Sequence, residues 1–266
     1  MSAPAPPAKA SESATADLPA AAASAAASIG SVGSRLSRAI AAALCAGYLL
    51  GIAVPGAALR LAIVPGRTLP QVWQVFTAAY FEQSALGVAV NCSVLLYAAR
   101  RLEPVWGSRE LLWFVFVVNA CSCSLAFAIL MARYMASCCG EESERLLYGT
   151  WSGFDAASAA LLVGLKQQAA GGEAPPLPLG ADPATLPLAA VAALACAGLA
   201  FSPLLERLPL ACSGLAVGWA YLRWLQRREG QLTPGDRSEG FDAASCLPPP
   251  ARGPARWALG RAEEAA

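Results

Sequence analysis

Six apolar stretches, each near the length that crosses a bilayer, constrain this chain more than any other feature. They run from Ile40 to Leu61, Ser84 to Ala99, Glu110 to Met135, Thr150 to Gln167, Leu186 to Leu205 and Pro209 to Leu225. A helix needs about 20 apolar residues to cross the hydrocarbon core, and shorter ones cross when neighbours shield them. The expected fold class is all-α, a polytopic membrane bundle of six transmembrane helices. The first stretch is broken near Pro55-Gly56. Between the first and second, Gln71 to Phe81 carries Trp73, Phe76, Tyr80 and Phe81 at near-helical spacing, the pattern of a segment lying at the membrane interface.

Charge supports the same reading. Only 14% of the 266 residues are charged and 56% are hydrophobic, whereas a soluble domain carries about a quarter charged residues. The net charge of +1 and the lack of a basic stripe interleaved with aromatics argue against nucleic-acid binding. Of nine cysteines, Cys45, Cys92, Cys121, Cys123, Cys196 and Cys212 lie inside apolar segments and read as small packing residues. There is no CxxC pair, and a chain without histidine cannot build the usual zinc sets that contain one. Cys138 and Cys139 differ in sitting in a loop beside Glu141 and Glu142. No cofactor or metal is expected.

Residues 1–34 are Ala/Ser/Pro-rich and are expected to be disordered, because they bury too little apolar surface to offset their ordering entropy. A transit peptide is the alternative, although the first arginine comes only at Arg35. Residues 35–228 form the expected membrane domain. Residues 229–266 read as a short, flexible, Pro/Gly-rich tail, and the loop from Ala169 to Pro183 as flexible too.

Orientation follows from the basic residues. With the amino terminus in the cytosol, nine lie on the cytosolic flanks: Arg35, Arg38, Arg100, Arg101, Arg109, Lys166, Arg223, Arg227 and Arg228. Five lie opposite: Arg60, Arg67, Arg133, Arg145 and Arg207. That bias favours both termini in the cytosol. Small residues repeat at four-residue spacing in the sixth stretch (Gly214, Gly218), and the fourth has Gly153, Ala157, Ala160 and Gly164. Missing side chains let helix backbones approach in lipid, so the fourth and sixth are expected to pack through these residues.

A set of short motifs completes the pattern: Trp73 to Thr77 with Phe76 inside it, Asn91, Arg101-Leu102-Glu103-Pro104-Val105-Trp106-Gly107-Ser108, and Val117-Val118-Asn119. Tyr134 to Ser137, Leu165-Lys166-Gln167 and Trp219 to Arg223 follow. In this order and spacing the chain resembles the rhomboid superfamily, and within it the transmembrane protein 115 family of rhomboid-like Golgi membrane proteins. The resemblance runs from about Leu69 to Gln226. Active rhomboids have a Gly-x-Ser-Gly turn at the fourth span. Matching that turn puts Gly153 at its first glycine and Asp155 at the nucleophilic serine. The sixth-span motif puts Ala211 at the histidine, with Gly214 and Gly218 at the glycines. The second-span His-x-x-x-Asn pair becomes Gly87 and Asn91.

The chemistry of a serine protease is therefore missing by residue type. A serine needs a base within hydrogen-bond reach to lose its proton near neutral pH. No histidine exists in the chain. Ser152, in Gly149-Thr150-Trp151-Ser152-Gly153, lies near the membrane surface with no base, and Ser158 and Lys166 are about 12 Å apart along a helix. Asp155 stays open between two readings. An acid within a span is costly and marks a functional site, or it is solvated at the lumenal mouth. Asn91 reads as an interhelical hydrogen-bonding residue, Glu103 as structural, pinning the interfacial loop, and Glu82 as solvated. Geometry carried from the resemblance puts Asn91 beside Asp155 as a structural clasp.

The resemblance implies a non-enzymatic rhomboid-like scaffold, a pseudoprotease, in the Golgi membrane. It would support retrograde Golgi-to-endoplasmic-reticulum transport, with membrane lipid and Golgi tethering machinery as partners and self-association into a homo-oligomer left open. The alternative is a derlin-like factor of the endoplasmic reticulum membrane, serving degradation or membrane-protein quality control. A transporter would want paired intramembrane charges or inverted repeats, and the sequence displays neither.

Overall fold

The computed structural model describes residues 35–137, 141–170, 185–200 and 207–227, together with Gly235, Asp236, Ser238, Phe241 and Gly253. The readings for residues 1–34, the Cys138-Cys139 pair, the loop 171–183 and most of the tail lie outside the described residues. The described chain is all-helical apart from one isolated antiparallel bridge between Ile63 and Trp151.

Helix α1 (Arg35–Ala53) ends where Pro55 and Gly56 interrupt the apolar run, as expected, and α2 (Ala57–Leu61) starts after the break. Two short helices, α3 (Pro65–Thr68) and α4 (Gln74–Thr77), and a 3-10 turn (Ala78–Tyr80) form the interfacial segment. Trp73 and Phe76 are about half exposed, at 49% and 50%, which suits a segment facing lipid.

Helix α5 (Ala85–Trp106) begins at Ser84, whose extended backbone frees its hydroxyl to accept the Gly87 N–H at 2.9 Å. It runs seven residues beyond the expected end at Ala99. The motif Leu102 to Trp106, read as an interfacial loop, is therefore its last turn. Pro104 cannot donate to the ladder, yet the turn holds because Leu102 and Trp106 are buried in the core. Gly107, at φ 81°, closes α5 and opens α6 (Ser108–Ala136), a conformation that only glycine takes without strain. The 29 residues of α6 span about 43 Å, longer than the hydrocarbon core.

After α7 (Glu141–Tyr148) the chain runs non-helical to Phe154, and α8 (Asp155–Ala170) starts five residues later than the sequence reading placed its span. The delay follows from the Trp151–Ile63 bridge, whose two hydrogen bonds of 2.9 Å hold that segment extended. Helix α9 (Leu186–Ala200) packs against α8 and α10 (Leu208–Ala220), and α10 continues into one π-helical turn, Tyr221–Leu225.

Helix α8 is the axis of the bundle, packed by α5, α6, α9 and α10. Ala156, Ala157, Ala159, Ala160, Leu161 and Val163 are all buried. A helix enclosed on every side needs small residues all round rather than one apolar stripe. Among the described residues three helices, α1, α5 and α6, are long and apolar enough to cross a membrane by themselves. The main core joins Leu95, Leu102, Phe114, Leu161 and Leu222.

The fourth and sixth apolar stretches do pack face to face, with Gly214, Gly218 and Ala160 at the contact as the spacing suggested, but with Ala156 in place of Gly153 and Gly164. A Cβ on Gly214 would lie 2.5 Å from Ala156 Cα, and one on Gly218 would lie 2.5 Å from Ala160 Cβ. Gly164 instead makes room for Trp106, 2.7 Å from its Cη2, and Gly153 faces Asp155 and Glu82. Period 3.6 placed the small residues on α8, but an axial helix has no unique face, so their partners could not be read from spacing.

Candidate functional site

Three helix starts converge at one end of the bundle: Ser84 before α5, Asp155 at the head of α8 and Arg207 before α10. Helix N-termini favour negative charge, and two carboxylates gather there. Arg207 Nη2 donates to Glu82 Oε2 at 3.1 Å, and Nη1 donates to Asp155 Oδ2 at 3.1 Å and Oδ1 at 3.3 Å. One guanidinium therefore bridges two acids. Asn91 bridges the same pair, its Nδ2 donating to Glu82 Oε1 at 2.6 Å and to Asp155 Oδ1 at 3.3 Å. Its carbonyl oxygen accepts the Ser158 hydroxyl at 2.7 Å. The Phe154 N–H adds a bond to Glu82 Oε1 at 2.9 Å.

Glu82 is thus 1% exposed, and the expectation that it is solvated is corrected. Its carboxyl is held above the usual range by burial first and by the Asp155 charge second; Arg207, the Phe154 N–H and Asn91 oppose that shift. An acid buried without partners would cost several kcal/mol, and this one accepts from three groups. Glycines supply the space. A Cβ on Gly87 would meet Glu82 Oε2 at 2.6 Å and both Arg207 Nη atoms at 2.7 Å. Gly153, at φ 137°, would place one 2.8 Å from Asp155 Oδ2.

Asn91 and Asp155 are brought together as the clasp requires. Glu82 and Arg207 were missed as its members. The available signal was their rarity: in a chain with so few charges, both sit against the ends of apolar stretches on the same side. Ser152 lies nearby, its hydroxyl accepting from Gln83 Nε2 at 2.9 Å. Ala211, one turn into α10 from Arg207, is buried.

The other motif residues are spread through the fold. Trp73 donates its indole N–H to the Arg60 carbonyl at 3.0 Å, Phe76 stacks on Phe116 with centroids 6.0 Å apart, and Thr77 donates to the Leu61 carbonyl at 2.8 Å. Glu103 accepts from Ser108 across the Gly107 joint, which fits the pinning role expected of it, with exposed Pro104 beside it. Trp106 meets Phe114 edge-on at 5.2 Å. Asn119 is buried on α6 beside Ser122 and Cys123. Lys166 and Gln167 are buried at the opposite end of α8 from the clasp, where Gln167 Nε2 donates to Gln226 Oε1 and to Asp236 Oδ2, each at 3.1 Å. Trp219 donates to the Phe241 carbonyl at 3.3 Å. Among the described residues no group of three or more His, Cys, Asp or Glu could hold a metal.

Comparison with known proteins shows the family of the chain. A family model described as eukaryotic integral membrane protein (DUF1751) matches residues 38–259. Rhomboid-like protein 19 of Arabidopsis thaliana is 34% identical over 219 residues, covering 81% of this chain and 69% of the plant protein. Transmembrane protein 115 of Homo sapiens is 34% identical over 221 residues, covering 79% of this chain and 59% of its own length. The Mus musculus protein of the same name is 32% identical over 210 residues, covering 76% and 56%. The chain thus spans less than two thirds of the two mammalian relatives.

Proposed function

The chain belongs to the eukaryotic integral membrane family that includes transmembrane protein 115 and rhomboid-like protein 19, and we propose that it is a catalytically inert, rhomboid-like scaffold of the Golgi membrane. The observation that carries the inert reading is the ion pair beside Gly87. The position that resembles a rhomboid histidine has no side chain, and Arg207 with Glu82 fills the space next to it. Asp155 stands at the serine position with both oxygens bonded to Arg207, and Asn91 is committed to two carboxylates and a hydroxyl. Hydrolysis needs a nucleophile with an adjacent base, and a charge-locked structural clasp supplies neither.

In this reading six helices cross the membrane. Helices α8, α9 and α10 with its π turn are short, and burial of α8 on all sides removes its need for lipid-length apolar surface. The nine-to-five arginine and lysine bias sets both termini in the cytosol, with the clasp at the lumenal end. The Golgi placement and the retrograde transport role follow the family resemblance. Cytosolic tethering machinery and lipid are the proposed partners, with self-association as a further property.

A tagged chain imaged against Golgi and endoplasmic reticulum markers tests the placement. Depletion should slow return of a Golgi-to-endoplasmic-reticulum cargo. Reticulum localisation with stabilised misfolded membrane proteins on depletion would favour the derlin-like reading instead.

A further inference from the structure

The sequence reading ends the folded body at 228, but Gly235, Asp236 and Phe241 beyond it are packed on the bundle. Gly235 donates its N–H to the Gln226 carbonyl at 2.8 Å, and Asp236 donates its own to the Leu222 carbonyl at 3.0 Å. The Asp236 carboxylate accepts from Gln167 at 3.1 Å and from the Ser238 N–H at 3.0 Å. Arg223 Nη1 donates to the carbonyls of Asp236 at 3.0 Å and Ser238 at 2.9 Å. Phe241 is 0% exposed, lies in the same apolar cluster as Phe114, Tyr221 and Leu222, and accepts the Trp219 indole N–H. Gly235 has φ 79°, and a Cβ there would lie 2.8 Å from Trp224 Cα.

We infer that Asp236 and Phe241 anchor a strap on the cytosolic end of the bundle, so that the folded body extends beyond Arg227. The surface formed by Gln167, Gln226, Arg223 and Trp219 is built for a short segment carrying an acid and, five residues on, an aromatic anchor. Its occupant is this chain's own Asp236 and Phe241. Each anchor answers a demand of the surface. Gln167 is a buried amide whose Nε2 needs acceptors, and Asp236 supplies one; Phe241 removes its apolar ring from solvent in the cluster with Phe114 and Leu222. The family match runs to residue 259, so the strap falls inside the shared unit. Because it grips the end of α8 and the π turn after α10, a partner that pulls on the later tail acts directly on the two helices that carry the clasp.

The test uses the full chain in native membranes and in detergent. A photo-crosslinking benzoylphenylalanine at position 241 should couple within the chain, to peptides from α6 or α10. Hydrogen exchange should show the amides of Gly235 and Asp236 protected by roughly tenfold or more over an open tail. Phe241→Ala should erase that protection while α8 amides stay protected, which separates loss of the strap from loss of the fold. Fast exchange at 235 and 236 in the unaltered chain, or crosslinks only to lipid or other proteins, would overturn the strap. Neither outcome bears on whether the bundle is inert or resides in the Golgi.

Discussion

Gly87 and Arg207 share one small volume, the glycine in the first turn of α5 and the arginine reaching in from the start of α10. A Cβ on Gly87 would stand 2.7 Å from both Nη atoms of Arg207, so the ion pair with Glu82 exists only because residue 87 has no side chain. Beside the position that resembles the second-span histidine lies instead a charge network joining α5, α8 and α10.

Gly87→Leu should therefore push Arg207 off its acids. Overpacking costs about 1–3 kcal/mol, and stranding a buried charge adds more. Arg207→Met removes the cation itself, and breaking a buried pair from one side costs about 3–5 kcal/mol. Melting in detergent should fall for both. Adding Glu82→Gln to Arg207→Met should recover part of the loss, because one of the two facing carboxylates is then neutral. No recovery would mean that the two acids do not act on each other.

Stability should also depend on pH through Glu82. Its folded-state carboxyl is held above the ordinary 4.5. Below that value both folded and unfolded chains carry the proton, and the contribution is fully present. As pH rises above 4.5 the unfolded chain gives up the proton first, so stability falls until the folded carboxyl has ionised as well. Melting temperature followed upward from pH 4.5 should show this decline, and Glu82→Gln should flatten it. A wild-type chain that gains stability over the same range would reverse the sign and refute the assignment.

Much of this fold is legible in the sequence because lipid imposes a strict length on apolar runs. The break at Pro55-Gly56, the long third stretch and the pairing of the fourth with the sixth can all be read from residue types. The clasp is legible only in half. Asn91 and Asp155 follow from the resemblance, but Glu82 and Arg207 flank their helices, and a charge beside a span reads as solvated unless the fold turns it inward. Phe241 is harder still. An aromatic in a Pro/Gly-rich tail, far in sequence from the next at Trp257, has no periodic neighbours to mark it as core.

The α8–α10 contact offers a sharper test than a bulky substitution. Gly218→Ala places a methyl 2.5 Å from the Ala160 Cβ, and detergent stability should drop. Ala160→Gly in the same chain vacates that space and should restore it. Independent, additive losses from the two changes would show that these residues do not touch.

Orientation is checked with single cysteines at exposed positions on opposite ends. Arg109→Cys, at the start of α6, and Glu144→Cys, on α7, are both exposed. With a cytosolic amino terminus, a membrane-impermeant maleimide should label position 109 in selectively permeabilised cells that keep the lumen closed, above the parent chain's background. Position 144 should label only after the lumen is opened. The reverse order would invert the bundle and place the clasp at the cytosolic face.

The inert site makes the last prediction. A fluorophosphonate probe requires a serine whose proton a nearby base has taken. Ser158 donates to an amide carbonyl, and Ser152 accepts from Gln83, so neither hydroxyl has a base among these partners. The purified chain should remain unlabelled. Asp155→Ser installs a serine at the position that resembles the nucleophile, yet it should also stay unlabelled, because Gly87 and Ala211 leave no imidazole to activate it and Arg207 stands where a base would be needed. Asp155→Ala should lower detergent stability by about 1–3 kcal/mol, since Asn91 and Arg207 each lose a partner, and leave proteolysis of a model membrane substrate at background. Labelling of the unaltered chain would overturn the scaffold reading. A stable Asp155→Ala variant with unchanged melting would leave the ion pair without a structural role.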